Sequence, residues 1–251
     1  MTETPDGVSA PRRTFRDRLL ELAEQVVPPA AGAALPVAAG AATAGKAAVT
    51  AVAVSLGWQL VQAIFAPRYR ERVESWMDEV ADALGDLADR IDDLSPEALN
   101  ENPAFITALA HATQIAGRTH QAEKLALLRD AVLNAAARTE PDEDLQLVFL
   151  QAVDQFTPWH VRVLDLFQDP KARGFNSETW TAGSRAHVLE AAFPEIRAHP
   201  DFVRLLVRDL YTRGFLSVDS LGGQVSGSGM VQKLTTPLGD RFLRFVSAPP
   251  C

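Results

Sequence analysis

Residues 47–94 read AAVTAVAVSLGWQLVQAIFAPRYRERVESWMDEVADALGDLADRIDDL. Up to Ala66 the run carries no charge and is interrupted only by Thr50, Ser55, Gly57, Gln59 and Gln62. Arg68, Arg70 and Arg72 follow at once, and the pattern then becomes amphipathic. Val73, Val80, Leu87 and Leu94 recur every seven residues, Trp76 and Ala83 fall between them, and Met77, Leu84 and Ile91 widen the stripe. That spacing predicts a helix over Tyr69–Leu94, and a stripe so wide suits packing in a bundle. The contact residues it offers a partner helix are Val73, Trp76, Val80, Leu84, Leu87 and Ile91. Asp78, Glu79, Asp82, Asp86, Asp89, Asp92 and Asp93 lie mostly off the stripe and read as a solvated face, because no loop gathers them around a cation.

Upstream, Pro28 to Gly45 is built largely from Ala, Gly and Val, with Gly32, Pro36, Gly40 and Gly45. Lys46 is the one charge between Pro28 and Ala66. Two readings stand for this tract. Twenty helical residues span about 30 Å, a hydrocarbon core, and the arginines beyond them form a cytoplasmic-side basic flank. Glycines let helices approach closely in lipid. The residues that carry this reading, for membrane or self-association, are Gly40, Gly45, Val49, Val52, Leu56, Trp58, Leu60, Ile64 and Phe65. In the other reading an Ala-rich hairpin is buried against the body or a second copy. Alanine gains little from leaving water, and Gln59 and Gln62 raise the cost of insertion. Conditional, self-associating insertion fits such a tract better than constitutive residence in a bilayer.

The 251 residues suffice for one large or two small cores. With 47% hydrophobic and 22% charged residues the composition is that of a globular protein. Helix formers dominate and Tyr is scarce, so the fold class is mainly α. A net charge of −8 speaks against non-specific nucleic-acid binding as the main activity. Residues 1–155 hold 13 Lys+Arg against 23 Asp+Glu, and residues 156–251 hold 11 against 9, which places a boundary near Phe156. Cys251 is the only cysteine, so no internal disulfide forms and a reducing cytosolic setting is the default. Pro5, Gly7, Pro11, Arg12 and Arg13 make the start a polar lead rather than a signal peptide. Thr14 begins a short amphipathic helix that Pro28-Pro29 ends.

Past residue 94, Ser95-Pro96 and Asn102-Pro103 are helix starts, Pro141 with three acids opens another, and Thr157-Pro158 another. Ser184 caps a helix, Pro194 interrupts it, and Pro200 begins a helix that Gly214 closes. Phe215–Val218 and Met230–Leu234 flank a Gly-rich loop and predict a β-hairpin, before a last helix from Pro237.

Helix, helix, helix, hairpin, helix is the order of a winged helix. The step from Leu210 to Phe215, followed by Leu234-Thr235-Thr236-Pro237-Leu238-Gly239, resembles bacterial winged-helix regulators. That resemblance implies DNA contact through Arg204, Arg208, Arg213 and Lys233, although Asp201 and Asp209 share the third helix and the wing offers little more charge. A winged helix used for protein contact is the alternative. A second resemblance spans more of the chain. The Ala/Gly lead, the run Glu123–Ala135, the acidic turn, Phe156-Thr157-Pro158 and the closing Leu238-Gly239-Asp240-Arg241-Phe242 follow the order of the bacterial abortive-infection alpha family. It implies phage defence or envelope stress, with no enzyme activity assigned.

Chemistry-bearing motifs are sparse. His111 and His120 fall on different helix faces, and His120 with Glu123 has a metal-pair spacing but no second pair. Ser226 and Ser228 lack a nucleophile elbow, and Gly222–Gly227 lacks the phosphate-loop lysine. No catalytic residue, metal site, cofactor or small-molecule substrate is expected. The expected organisation is a lead over 1–13, a short helix and apolar tract over 14–67, a helical bundle over 68–156 and a winged-helix-like domain over 157–251. Three functions remain: a non-enzymatic effector at the inner face of the membrane, a DNA-binding regulator, and a self-associating adaptor.

Overall fold

A computed structural model describes residues 47–91, 94–137, 141–177 and 182–249, with side chains from Arg68 onward. Among these residues the chain is mainly α, with one two-stranded sheet. It divides into two compact units, residues 1–121 and 122–251. Phe156, near which charge suggested a division, is in the core of the second unit, its ring 5.6 Å from that of Phe215 and 5.9 Å from that of Phe242.

The first unit contains α1 (Ala47–Ala88), α2 (Pro96–Asn100) and α3 (Pro103–Arg118). Helix α1 ends six residues before the expected Leu94 and begins well before Tyr69, so the apolar run and the amphipathic stripe form one continuous helix. Ser95 and Asn102 cap α2 and α3, their side chains accepting the N–H groups of Ala98 and Phe105 at 3.1 and 3.3 Å. Helix α3 runs opposite to α1. Arg72 meets Gly117, and one turn and a half along α1 the Thr113 hydroxyl lies 3.7 Å from Met77 Sδ. Between them Trp76, Val80, Leu84 and Leu87 are buried, as are Phe105, Leu109 and Ala112 of α3. Fully burying side chains of this size stabilises by about 1.5–3 kcal/mol each, which is what holds so small a unit together.

The second unit contains α4 (Ala122–Ala136), α5 (Glu143–Gln155), α6 (Pro158–Gln168), β1 (Ala182–Gly183) and α7 (Arg185–Ala192). A 3-10 turn (Pro194–Ala198), α8 (Pro200–Thr212), β2 (Val225–Ser226), α9 (Gly227–Met230) and α10 (Pro237–Phe245) complete it. Its core is aromatic: Phe149, Phe215 and Phe242 are mutually in contact, with centroids 5.0–6.1 Å apart. Helix α4 is tied to the far end of α10 through Asn134, whose amide donates to the carbonyls of Phe245 and Ser247 at 2.9 and 2.7 Å. The Phe245 carbonyl ends the last turn of α10 and that of Ser247 lies just past it, where neither has an intrahelical donor.

Gly214 has φ +77° at the close of α8, the left-handed position expected of it. The expected hairpin is much shorter than the sequence suggested. Segments 215–217 and 234–236 do pair antiparallel, but through the single bridge Leu216↔Thr235. Ser217 N–H to Leu234 O at 2.9 Å and Thr236 N–H to Phe215 O at 3.0 Å flank it. The ladder stops because Gly227–Met230 coils into α9 and the strand before it, β2, pairs with β1 instead (Ala182↔Ser226, Gly183↔Val225).

Candidate functional site

The junction at Tyr69 and Arg72 is where the apolar run meets the packed body. Arg68 and Arg70 are exposed, whereas Arg72 Nη2 donates to Gly117 O at 2.9 Å. Gly117 is in the last turn of α3, where carbonyls lack helical donors, so the guanidinium supplies one. The Tyr69 ring lies directly on Gly117, and a Cβ at that position would overlap the ring. Glycine is required here by close approach, not by backbone conformation. The two contacts lock α1 to α3 at the residue where its unbroken apolar character ends.

Of the tract residues singled out above, Gly40 and Gly45 lie outside the described residues. Val49, Val52, Leu56, Trp58, Leu60, Ile64 and Phe65 fall on α1, and their side chains lie outside what is described. Among the described residues, no helix is long and apolar enough to cross a membrane.

The stripe offered as a partner helix is a core face. Trp76 and Leu87 are 1% exposed and Val80 and Leu84 are 0% exposed in the single chain, so they are already covered. Val73 is half-buried, and Ile91 lies beyond the end of α1. A wide stripe fits a bundle seam whether the neighbouring helix belongs to the same chain or another, and here α3 occupies it. The acidic residues Glu79, Asp82, Asp86 and Asp89 are exposed, as a solvated face requires.

The arginines of α8 are brought together in part. Arg204 and Arg208 are exposed one turn apart. Arg204 pairs with Asp201, and Lys233 pairs with Asp240 at 2.6 Å. Arg213 bonds the Gln155 side chain and lies over the Phe156 ring, 5.5 Å from its centroid. Three of the four cations are thus engaged inside their own unit.

His160 is a buried histidine at the first turn of α6. Its Nδ1 accepts the Thr157 backbone N–H at 3.0 Å, and its ring stacks on Phe156 at 4.5 Å between centroids and 7° between planes. Its Nε2 lies 3.5 Å from Asp209 Oδ2 on α8, too far for a good hydrogen bond. Burial holds this imidazole below the usual histidine range, and the nearby Arg213 acts in the same direction. The attraction of Asp209 opposes them without prevailing. Ser184 N–H meets His187 Nδ1 in the same way at the start of α7, at 3.4 Å. A histidine three residues after a capping Ser or Thr is a capping box with imidazole in place of the usual carboxylate. Thr157…His160 and Ser184…His187 carried that signal in the sequence. Asp209 as a neighbour of His160 did not, being 49 residues away. Among the described residues no group of His, Cys, Asp and Glu is arranged to hold a metal ion.

The segment Thr235–Phe242 has a structural role. Thr236 caps α10 by accepting from Gly239 N–H at 3.1 Å. Gly239 lies against the Phe215 backbone, where a Cβ would collide with the carbonyl oxygen. Asp240 receives Thr235 Oγ1 and Lys233 Nζ, both at 2.6 Å. Burial alone would push its carboxyl up, but these donors together outweigh it and hold the group below the usual carboxylate range. Thr235, Thr236, Gly239 and Asp240 therefore help to clamp the single bridge pair. Comparison with protein-family models, curated proteins and solved structures finds no match to this chain.

Proposed function

We propose that this protein is a non-enzymatic effector whose apolar run, residues 47–66, associates with a membrane or with sister copies under the control of its helical body. One observation carries the reading: the run and the keyed stripe belong to the single helix Ala47–Ala88. At 1.5 Å per residue, the 20 residues 47–66 extend about 30 Å, a length that supports either contact with lipid or a paired helix of a sister copy. The contacts of Tyr69 and Arg72 with Gly117 anchor the packed end of the helix directly after that length. The exposed Arg68 and Arg70 are placed to meet anionic headgroups at the end of the run. The abortive-infection resemblance adds a setting, phage defence or envelope stress on the cytoplasmic side of a bacterial membrane. Cell fractionation with alkaline carbonate washing tests this. Retention of triggered protein in the pellet is expected, and complete release into the wash under every condition counts against it.

A second reading, a winged-helix DNA-binding regulator, is favoured by the exposed pair Arg204 and Arg208 on α8 ahead of the Leu216↔Thr235 bridge. Gel shifts across a salt series decide it, since phosphate contacts weaken steeply as salt rises. An adaptor that uses the same unit for protein contact is the third.

A further inference from the structure

The first unit separates its charges along α1. Arg68, Arg70 and Arg72 follow the apolar run, and Glu71 is the one carboxylate among residues 66–73. Helix α3 returns to this end of α1, where Tyr69 and Arg72 both meet Gly117. Arg118, the next residue, is thereby brought to the same level, and it is exposed, as are Arg68, Arg70 and Glu71. Its Nε donates to the Gln114 carbonyl of its own helix at 3.2 Å, which leaves the charge in place. A collar of four arginines therefore surrounds the point where the run leaves the packed unit, and packing rather than one stretch of sequence assembles it. Beyond it, residues 74–102 hold 10 Asp+Glu against the single Arg90.

The acidic end does not cancel the collar. At 1.5 Å per residue Asp82 and Asp86 lie about 18 and 24 Å along α1 from Arg70, more than two Debye lengths at physiological salt. Glu74, about 6 Å on, offsets it only in part. Two occupants fit the run, and charge separates them. Sister copies paired in parallel set collar against collar. Paired antiparallel, they set Arg68 and Arg70 beside Lys46, the residue before the run. Both arrangements oppose like charges wherever they bury the run. A layer of anionic headgroups does the reverse, neutralising the collar while its acyl side takes the run.

We propose that Arg68, Arg70 and Arg118 bind the anionic headgroups of a lipid surface and orient the first unit on it, apolar run toward the acyl layer and acidic end toward water. Arg72 holds α1 on α3 beneath them through Gly117 O. This assignment rests on the effector reading of the run, and it names anionic lipid rather than a sister copy as the partner.

Co-sedimentation of the full chain with vesicles tests it, comparing phosphatidylcholine alone with phosphatidylcholine mixed with phosphatidylglycerol. Binding to the mixed vesicles is expected to be stronger by about tenfold or more, and to fall as salt rises. Arg68→Gln/Arg70→Gln/Arg118→Gln, whose side chains are exposed and which leaves Tyr69, Arg72 and Gly117 untouched, removes that excess. Lys171→Gln/Arg173→Gln/Arg197→Gln takes the same charge from exposed sites in the second unit and retains the excess. Equal binding of the wild type to both vesicles overturns the collar while leaving the apolar run its lipid. Wild-type binding by the collar variant, loss of the excess in the second-unit variant, or release by inorganic phosphate at matched ionic strength overturns it as well. Failure to bind either vesicle overturns the collar and the membrane reading together.

Discussion

His160 closes the first turn of α6 by accepting the backbone N–H of Thr157 on its Nδ1, at 3.0 Å. A nitrogen that accepts cannot carry a proton, so the ring is neutral with its hydrogen on Nε2, toward Asp209. Protonation removes the acceptor, and with it a cap of about 1 kcal/mol.

Because burial lowers the folded-state affinity of His160 for a proton, the unfolded chain takes up that proton first as pH falls. The stabilisation from neutral His160 is full above the unfolded value of about 6.5 and is lost as pH drops from there through the lowered folded value. His160→Gln keeps an acceptor at the capping position and does not titrate. Urea midpoints followed by circular dichroism are expected to fall with acid in this window for the wild type and to flatten for the variant. Parallel curves for the two proteins contradict the assignment.

Gly239 and Gly85 make a matched pair. A Cβ at Gly239 meets the Phe215 carbonyl oxygen, whereas at Gly85, inside α1, nothing lies within 4 Å. Gly239→Ala is expected to destabilise by about 2–4 kcal/mol, because backbone on both sides must shift. Gly85→Ala is expected to stabilise by about 0.5–1 kcal/mol through helix propensity alone. Thermal unfolding of the two variants reads both signs.

Asn134→Ala strips the donors from Phe245 O and Ser247 O at the end of α10. The Phe245 carbonyl is buried whereas Ser247 is exposed to water, so a loss of about 1–3 kcal/mol, from the one buried acceptor left unsatisfied, is expected in denaturant titration. A change below about 0.5 kcal/mol contradicts the role given to this amide.

Gly117→Val drives a side chain into the Tyr69 ring and unlocks α1 from α3 at the end of the apolar run. Faster cleavage by trypsin at Arg68, Arg70 and Arg72 is expected, and Arg72→Ala is expected to act in the same direction more weakly. Cleavage at the wild-type rate in both variants removes the lock.

What the sequence made legible was local. Ser95, Asn102 and Ser184 start their helices where their short polar side chains said they would, and Gly214 has the positive φ its place demanded. These signals act over a few residues and need no tertiary context. The stripe Trp76–Leu87 was legible as buried but not as to its partner, since hydrophobic spacing does not say which chain covers it. Strand pairing was misjudged for a related reason. Val231 has the apolar character of a strand residue, yet Ser226 caps α9 just ahead of it and β2 finds β1 across the loop. The packing of Phe156 with Phe215 and Phe242 was out of reach because it leaves no trace in the charge balance.

Vesicle flotation of the full chain beside a chain beginning at Arg68 tests the central claim most directly. Liposomes with anionic headgroups are expected to carry the full chain upward with the lipid and to leave the shortened chain at the bottom of the gradient. If both chains stay with the soluble fraction, and both sediment as monomers at high concentration, the apolar run has neither lipid nor a sister copy as its destination.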